Sequence, residues 1–283
     1  MAGAETRSGV SYDAEALDRV ERLFWRGIWE SAGPELGAER GLEARDFGPL
    51  QATLAAALPA VPMMNLVLGA TEPGAVEGGH LAAAVEWAAA HGVEPCVPVT
   101  PGLAASDAAT AWLEENGFEH GRGWMKFVRD AHPPRSAAPA VEVVRLDGDG
   151  DEPFGAIAAA GFGLPAWAGA LFAGLPGREG WHCYVARLDG DAQACAAMRV
   201  HGGIAEFGIG ATLEPARGRG CQSALLHRRI LDAAAAGCHT LFVETGERVP
   251  GRPSASYRNI LRAGFEEAYL RPNWRRSGAT ASP

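Results

Sequence analysis

The chain has 283 residues, of which 47% are hydrophobic and 21% charged, the profile of a globular protein long enough for two domains. Its formal net charge of −9 argues against a nucleic-acid binder, which usually carries a basic surface, and is compatible with a cationic small substrate. No apolar run is long enough to span a bilayer, and the first residues lack the hydrophobic stretch of a signal peptide. We therefore expect a cytoplasmic protein with no membrane partner.

Two segments of the chain carry the same landmarks in the same order. Each begins with Gly-Ala-Thr and a nearby Glu-Pro pair, at residues 69–73 and 210–215. An Ala-rich run, a short apolar strand and a helix that closes on Gly-Phe then follow in both segments. This order predicts an internal duplication. The proline-rich stretch from Ala131 to Ala140 predicts a linker between one domain at residues 11–130 and a second at residues 141–276.

The second half shows a regular succession of predicted strands and helices. A first strand and a helix precede a meander of three antiparallel strands, whose turns fall at Asp189-Gly190-Asp191 and Gly202-Gly203. A helix with four apolar residues on one face follows, then a strand and a short helix that Gly264 ends. The predicted elements are Val141 to Leu146, Pro165 to Ala173, His182 to Arg187, Ala194 to His201, Ile204 to Thr212, Gln222 to Ala236 (apolar face Leu225, Leu226, Ile230 and Leu231), His239 to Thr245 and Ser256 to Ala263.

The cysteines and histidines give no sign of a metal or redox centre. None of the five cysteines forms a Cys-x-x-Cys pair, and the eight histidines lack zinc-ligand spacing. We expect buried cysteines and no structural metal.

The sharpest local signal is Arg217-Gly218-Arg219-Gly220-Cys221-Gln222, where a predicted strand ends and a helix begins. The two glycines let the backbone curl and direct its N–H groups to one point, and the helix N-terminus adds partial positive charge. The two arginines add full charges, so the segment suits a pyrophosphate. A Walker loop is excluded because no lysine follows, and the dinucleotide fingerprint because Ser223 stands where a glycine is required.

This segment resembles the signature Q/R-x-x-G-x-G/A of the GNAT acyltransferase superfamily, and the wider sequence is similar to bacterial proteins with two tandem GNAT domains. The resemblance implies an α/β (α+β) fold of two GNAT-like domains, each with a mixed, mostly antiparallel central sheet flanked by helices. It implies acetyl-CoA as co-substrate, with backbone contacts from the preceding strand to pantetheine and contacts from the loop to pyrophosphate. The cofactor-binding residues carried over are Gly210, Ala211, Thr212, Arg217, Gly218, Arg219, Gly220, Cys221, Gln222 and Ser223, with Ser256 and Asn259 beside the cofactor.

Two departures from the family pattern concern the cofactor. Gln222 stands at the Gly/Ala position, so its side chain must turn away from the phosphates or contact them. The tyrosine that many members use as an acid toward the CoA thiolate falls at Ile260. Tyr257 or Ser256 is the expected replacement unless water protonates the thiolate.

In the reaction that the resemblance implies, an amine of the acceptor attacks the thioester of acetyl-CoA. This amine must lose a proton, which a carboxylate can accept. Glu206 is the first candidate, because its position six residues before Thr212 resembles that of the catalytic glutamate in the histone-acetylating branch. Glu244, at the end of the next strand, is the competitor, and Glu247 is a third choice. Backbone N–H groups where the strands part would polarise the thioester.

The first half lacks the basic loop, since Glu72 and Glu77 follow Gly-Ala-Thr there. We expect a degenerate domain without its own cofactor that packs against the active half and walls the substrate cleft. Four tryptophans of this half and two of the second are interpreted as packing residues, namely Trp25, Trp29, Trp112 and Trp124, and Trp167 and Trp181.

The predicted function is an N-acetyltransferase that moves an acetyl group from acetyl-CoA to a primary amine of a small molecule or protein by direct attack. The alternative is a non-catalytic acyl-CoA sensor or pseudoenzyme, which Ile260 favours, and a third is a structural protein whose loop is accidental. Both monomer and homodimer are compatible with the sequence.

Overall fold

The computed structural model describes residues 9–134, 139–148, 153–251 and 254–276. Within these ranges lie eight α-helices, and short 3₁₀ turns occur at Pro62–Met64, Ala166–Gly169 and Glu214–Ala216. The helices are α1 (Ala14–Ser31), α2 (Gly33–Arg40), α3 (His80–Ala90), α4 (Ser106–Glu115), α5 (Phe154–Gly161), α6 (Ala170–Ala173), α7 (Cys221–Ala235) and α8 (Ala255–Arg262). None of these helices is long and apolar enough to cross a membrane.

Strands alternate with the helices along both halves of the chain. Those of the first half are β1 (Leu42–Phe47), β2 (Leu50–Ala55), β3 (Leu66–Leu68), β4 (Val97–Pro98), β5 (Phe118–His120) and β6 (Trp124–Asp130). Those of the second half are β7 (Glu142–Leu146), β8 (Trp181–Leu188), β9 (Asp191–His201), β10 (Ile204–Thr212), β11 (Thr240–Gly246), β12 (Glu266–Arg271) and β13 (Asn273–Arg276).

The larger sheet has seven strands in the order β7-β8-β9-β10-β11-β6-β12. Strands β10 and β11 pair in parallel, whereas the other neighbours in this sheet are antiparallel. The first half forms two three-stranded sheets, β1-β2-β3 and β4-β13-β5, which a parallel bridge between Leu66 and Cys96 joins. Counting the bridge, each half of the molecule therefore has one parallel step in an otherwise antiparallel strand order.

The two halves exchange their last strands. Strand β6 of the first half lies between β11 and β12, and β13 of the second half lies between β4 and β5. The strand orders β1-β2-β3-β4-β13-β5 and β8-β9-β10-β11-β6-β12 match position by position, as a duplication requires. The predicted domain limits divide the chain in sequence, but each sheet takes one strand from the other half. Residues 135–138 of the predicted linker lie outside the described residues.

Helix α1 of the first half packs on the larger sheet, against β9 and β10, and against α6. Its N-cap is Asp13, whose carboxylate accepts hydrogen bonds from the N–H groups of Glu15 (3.0 Å) and Ala16 (3.2 Å). Phe24 and Ile28 are buried in the same core as residues of α5, α6 and the sheet. The first half thus supplies one wall of any site on this face.

Local signals positioned most of the second half correctly. Asp189 and Gly190 both have positive φ (55° and 92°), which matches the twist of the β8-β9 hairpin. Helix α8 ends as predicted, with Gly264 in the left-handed region at φ 86°. All five cysteines are buried, as predicted.

Three expectations on helices need correction. The helix predicted from Pro165 to Ala173 is a 3₁₀ turn followed by the short α6. Helix α5 was not predicted, because its sequence is almost entirely Ala, Gly and other apolar residues and has no polar face. On α7, Leu231 is 38% exposed, whereas Arg229 is buried in its place. Leu225, Leu226 and Ile230 of the predicted apolar face are buried, so the prediction is wrong only for Leu231.

Candidate functional site

The site lies where strands β10 and β11 part. The two strands pair in parallel from Ile204 and Thr240 to Phe207 and Val243, and no further pairing follows toward their ends. The register between β10 and β9 shifts between Gly208 and Ala211, and Ile209 within this bulge has φ 49°. Bulges bend a strand and free backbone groups from the ladder. This bend opens the sheet at the end of β10.

A cavity of about 260 Å³ occupies the opening. On the side of α7 and α8 it is lined by Gln222, Leu226, Ser256 and Ile260. On the side of α1 it is lined by Glu206, Glu244 and mostly aromatic and Met side chains, namely Phe24, Trp25, Ile28, Met63, Met64, Trp124, Phe162 and Phe172. The cavity therefore reaches both faces of the sheet through the gap between the two strands.

The predicted phosphate loop leads directly into α7. Gly218 and Gly220 have φ 79° and 89°, a conformation that favours glycine. The intrahelical ladder starts at Ala224, whose N–H bonds to the Gly220 carbonyl at 3.0 Å, and no side chain of the described ranges caps the helix. The N–H groups of Cys221, Gln222 and Ser223 precede that ladder, so they are free to meet an anion.

The two loop arginines are exposed beside this helix terminus. The guanidinium of Arg219 donates to the carboxylate of Asp189 at 3.1 Å, a surface pair that costs little to exchange for a phosphate. The loop therefore combines exposed positive charge with the N-terminus of a fifteen-residue helix. The residues present fit a pyrophosphate.

The side chain of Gln222 turns from the loop toward α8. Its amide nitrogen donates to the Ser256 hydroxyl at 3.0 Å, and its amide oxygen accepts from the Asn259 side chain at 2.8 Å. Three residues predicted near the cofactor thus form one hydrogen-bonded group that ties α7 to α8. Of the two orientations expected for the Gln222 side chain, the structure has the one that turns away from the loop, toward α8.

The structure does not bring Tyr257 into the cavity. Its ring is buried against Phe127, with ring centroids 4.7 Å apart, and its hydroxyl donates to Glu267 at 2.6 Å. Burial, and then the hydrogen bond to Glu267, raise its pKa to about 12. Ile260, three residues further along α8, lines the cavity instead. The prediction of Tyr257 as the acid is not supported, because the rotation of α8 directs its ring into the core.

Glu206 lies in the cavity wall and is 3% exposed. One of its carboxylate oxygens, Oε2, has no hydrogen-bond partner in the described part of the chain. Burial and the neighbouring Glu21 carboxylate raise the pKa of Glu206 well above its usual value, and Lys126 opposes them. A buried carboxyl with a raised pKa beside a cavity is a common feature of catalytic sites.

Glu244 lines the same cavity but is held in ion pairs. Its Oε2 lies 2.8 Å from Lys126 Nζ and 3.0 Å from Arg271 Nη2. The side chain of Glu244 is 20% exposed, whereas those of Lys126 and Arg271 are 1% exposed. Glu247, the third choice from the sequence, does not line the cavity.

A buried charge cluster, Glu21, Lys126, Glu244 and Arg271, was not predicted. Arg271 makes two contacts with the Glu21 carboxylate, one of them 2.7 Å long, and Lys126 Nζ lies 2.9 Å from the same carboxylate. These cations outweigh burial and lower the pKa of Glu21 to about 2. The only signals in the sequence were charged residues inside apolar segments, such as Lys126 in Trp-Met-Lys-Phe-Val.

The corresponding region of the first half is built differently. Gly69 follows β3, and Glu72 pairs with Arg22 of α1, whose guanidinium also donates to the Pro49 carbonyl at 3.0 Å. A carboxylate therefore occupies the stretch in which the second half carries Arg217 and Arg219. Negative charge disfavours a pyrophosphate.

Comparison with solved structures defines the fold. The chain is similar to a GCN5-related N-acetyltransferase from Kribbella flavida, with a TM-score of 0.58, 16% identity, and coverage of 89% of this chain and 96% of that one. It is also similar to a GCN5-related N-acetyltransferase from Sphaerobacter thermophilus, with a TM-score of 0.57, 16% identity and 93% coverage of both chains. No protein-family profile matches the chain, and neither does any curated protein.

A third similar structure is a tandem GNAT protein of the clavulanic acid biosynthesis pathway, with a TM-score of 0.58, 15% identity, and coverage of 97% and 98%. The chain thus has the GNAT fold in tandem. The α/β architecture of two GNAT-like domains predicted from the sequence is confirmed.

Proposed function

We propose that the protein is an N-acetyltransferase that moves an acetyl group from acetyl-CoA to a primary amine by direct attack. This proposal is supported by the arrangement of one helix terminus, one loop and one buried carboxyl. An uncapped helix N-terminus with an Arg-Gly-Arg-Gly loop opens toward a strand gap that holds a buried carboxyl of raised pKa. The GNAT fold of the chain agrees with this reading.

The chain would hold acetyl-CoA along the loop and the gap. The N–H groups of Cys221 to Ser223, the glycine amides and the two arginines would bind the pyrophosphate. Backbone groups of Gly210, Ala211 and Thr212 on β10 would bind the pantetheine arm, with Ser256 and Asn259 beside it. When bound, acetyl-CoA supplies a thioester carbon that is open to attack and a thiolate that leaves.

Glu206 is the proposed acceptor of the amine proton. Glu206 lines the cavity, and its Oε2 has no hydrogen-bond partner in the described part of the chain, so this oxygen is placed to accept a proton, and the raised pKa makes the ionised carboxylate a stronger base. Glu244 is already neutralised by Lys126 and Arg271, so its part is to fix the polar end of the cavity. Backbone N–H groups at the β10 bulge would polarise the thioester carbonyl.

Protonation of the leaving group falls to water in this proposal. A thiolate is a tolerable leaving group, because thiols ionise at about pH 8.5. We assign no part to Tyr257 in this proposal, because its hydroxyl donates to Glu267. The first half would bind no cofactor of its own, and its helix α1 would form one wall of the acceptor side of the cavity. A cytoplasmic location and a monomeric or homodimeric state stay predictions.

The alternative function is that of an acyl-CoA sensor, which Ile260 in place of the usual acid favours. One assay separates the two: the protein is incubated with acetyl-CoA and a broad amine panel while released thiol is measured. Turnover supports the transferase. Tight CoA binding by calorimetry without turnover on any amine favours the sensor, and absence of CoA binding overturns both.

A further inference from the structure

We infer that the acceptor is a small, apolar primary monoamine with an aromatic or branched alkyl body, such as an arylalkylamine, and not a polyamine, aminoglycoside or protein lysine. This inference rests on the proposed function, because it assigns the α1 side of the cavity to the acceptor. In that proposal the CoA arm would lie on the side of α7 and α8, where Gln222, Ser256 and Ile260 line the cavity, so the acceptor takes the other side.

The α1 side of the cavity is walled by apolar side chains from several separate elements. Phe24, Trp25 and Ile28 come from α1, Trp124 from β6, and Phe162 and Phe172 from the α5-α6 region. Aromatic surfaces of this kind bind apolar bodies and attract an ammonium group over the ring faces. They offer nothing to the many polar groups of a sugar-based amine.

The charged residues that line the cavity in the described ranges are Arg229, Glu206 and Glu244, so the cavity offers an ammonium group few acidic partners. Of the residues that line it in the described ranges, only Glu206 and Glu244 are acidic. Glu244 is paired with two buried cations, and Glu206 is the group that would take the single proton. A polycation would leave its other ammonium groups unpaired against an apolar wall, which disfavours its binding.

The volume of the cavity also favours a small acceptor. The whole cavity measures about 260 Å³, and the acceptor would share it with the end of the CoA arm, so the α1 side holds a body no larger than about one ring, for which a cavity of about 150 Å³ is enough. The ring of Phe24 lies directly over the bulge, since a Cβ at Gly208 would come within 2.2 Å of Phe24 Cζ. Helix α1 therefore narrows the approach to the point where the amine must attack.

The first test measures kcat/KM by thiol release for 2-phenylethylamine and 3-methylbutylamine against spermidine, kanamycin and a lysine-containing peptide. We expect the apolar amines to exceed every polycation and the peptide by about 100-fold or more. Equal or better turnover of any of those three overturns the inference, while leaving the transferase proposal intact.

Direct binding keeps the inference testable if no amine turns over. Calorimetry with 2-phenylethylamine and with spermidine, each in the presence of CoA, must show saturable binding of the first and none of the second. Absence of 2-phenylethylamine binding overturns the inference. The proposed function is judged separately, by acetyl-CoA binding and transfer.

One variant in the aromatic wall of the cavity can be compared with a matched variant away from the cavity. Phe162 is half-buried, so Phe162→Leu should fold, and we expect its KM for 2-phenylethylamine to rise about tenfold with acetyl-CoA affinity unchanged. Phe47→Leu, at a half-buried position of β1 away from the cavity, should change neither value. An unchanged KM in Phe162→Leu, or an equal rise of KM in Phe47→Leu, would contradict the placement of the acceptor.

Discussion

Glu21 of α1 and Arg271 at the end of β12 form a buried two-contact ion pair across 250 residues of sequence. The pair joins the helix that walls the cavity to the sheet that carries the site. Lys126 and Glu244 extend it to β6 and β11. The charge cluster therefore fixes α1 on the larger sheet.

Removing one partner of this cluster should destabilise the fold. In Glu21→Gln, Arg271 and Lys126 remain buried with one carboxylate between them, and we expect a loss of about 3–5 kcal/mol in the free energy of unfolding. Urea denaturation at pH 7 measures it. Glu39→Gln breaks an exposed pair with Arg40 and should cost at most about 0.5 kcal/mol. Similar values for both variants would contradict the role of the cluster.

The same cluster predicts an acid dependence. Because the folded-state pKa of Glu21 is lowered to about 2 from 4.5, its contribution to stability is present above pH 4.5 and is lost as pH falls toward 2. The stability difference between wild type and Glu21→Gln should shrink across this window. A difference that stays constant from pH 5 to pH 3 would argue against the ion pair.

Glu206→Gln should lower the rate of acetyl transfer without lowering the stability of the fold. We expect kcat to fall by about 10²–10⁴ while acetyl-CoA affinity is retained. Because the folded-state pKa of Glu206 is raised, its contribution to stability is present below the unfolded pKa and is lost as pH rises through the folded pKa. The neutral amide escapes this loss, so the variant should be as stable as wild type at about pH 4, below the unfolded pKa, and more stable than wild type at about pH 8. Glu247→Gln, outside the cavity, should behave like wild type.

Arg219→Glu should weaken CoA binding. Loss of a charge-assisted contact costs about 1.5–3 kcal/mol, so calorimetry should show a Kd about 10- to 100-fold higher at low salt. Arg19→Glu changes net charge equally on an exposed face of α1 and should leave the Kd within about twofold. If Arg219→Glu binds CoA as tightly as wild type, the loop is not the pyrophosphate site.

Gln222→Ala tests what this departure from the family pattern does. The side chain bonds to Ser256 and Asn259, so its removal should cost about 1–2 kcal/mol of stability. CoA affinity should stay within about threefold, because the backbone N–H of residue 222 is kept. A tenfold loss of affinity would instead make the Gln222 side chain a direct ligand.

Residue patterns of the second half predicted the loop, the meander and helix α8, because each depends on neighbours in sequence. Gly218 and Gly220 need positive φ, Asp189-Gly190 makes a tight hairpin, and Gly264 ends a helix. These are local properties of the chain. The same reasoning placed Tyr257 near the cofactor but had no means of fixing the rotation of α8.

The tandem GNAT fold and the basic loop could be predicted from the sequence by itself, because a duplication and tight turns are recognised from residues that lie close together in the chain. Only the tertiary structure decided the exchange of β6 and β13, the cluster of Glu21 with Lys126 and Arg271, and the aromatic wall of the cavity. Each of these depends on contacts between residues far apart in the chain. Hydrophobic periodicity shows that a residue is buried, but it does not show which distant element buries it.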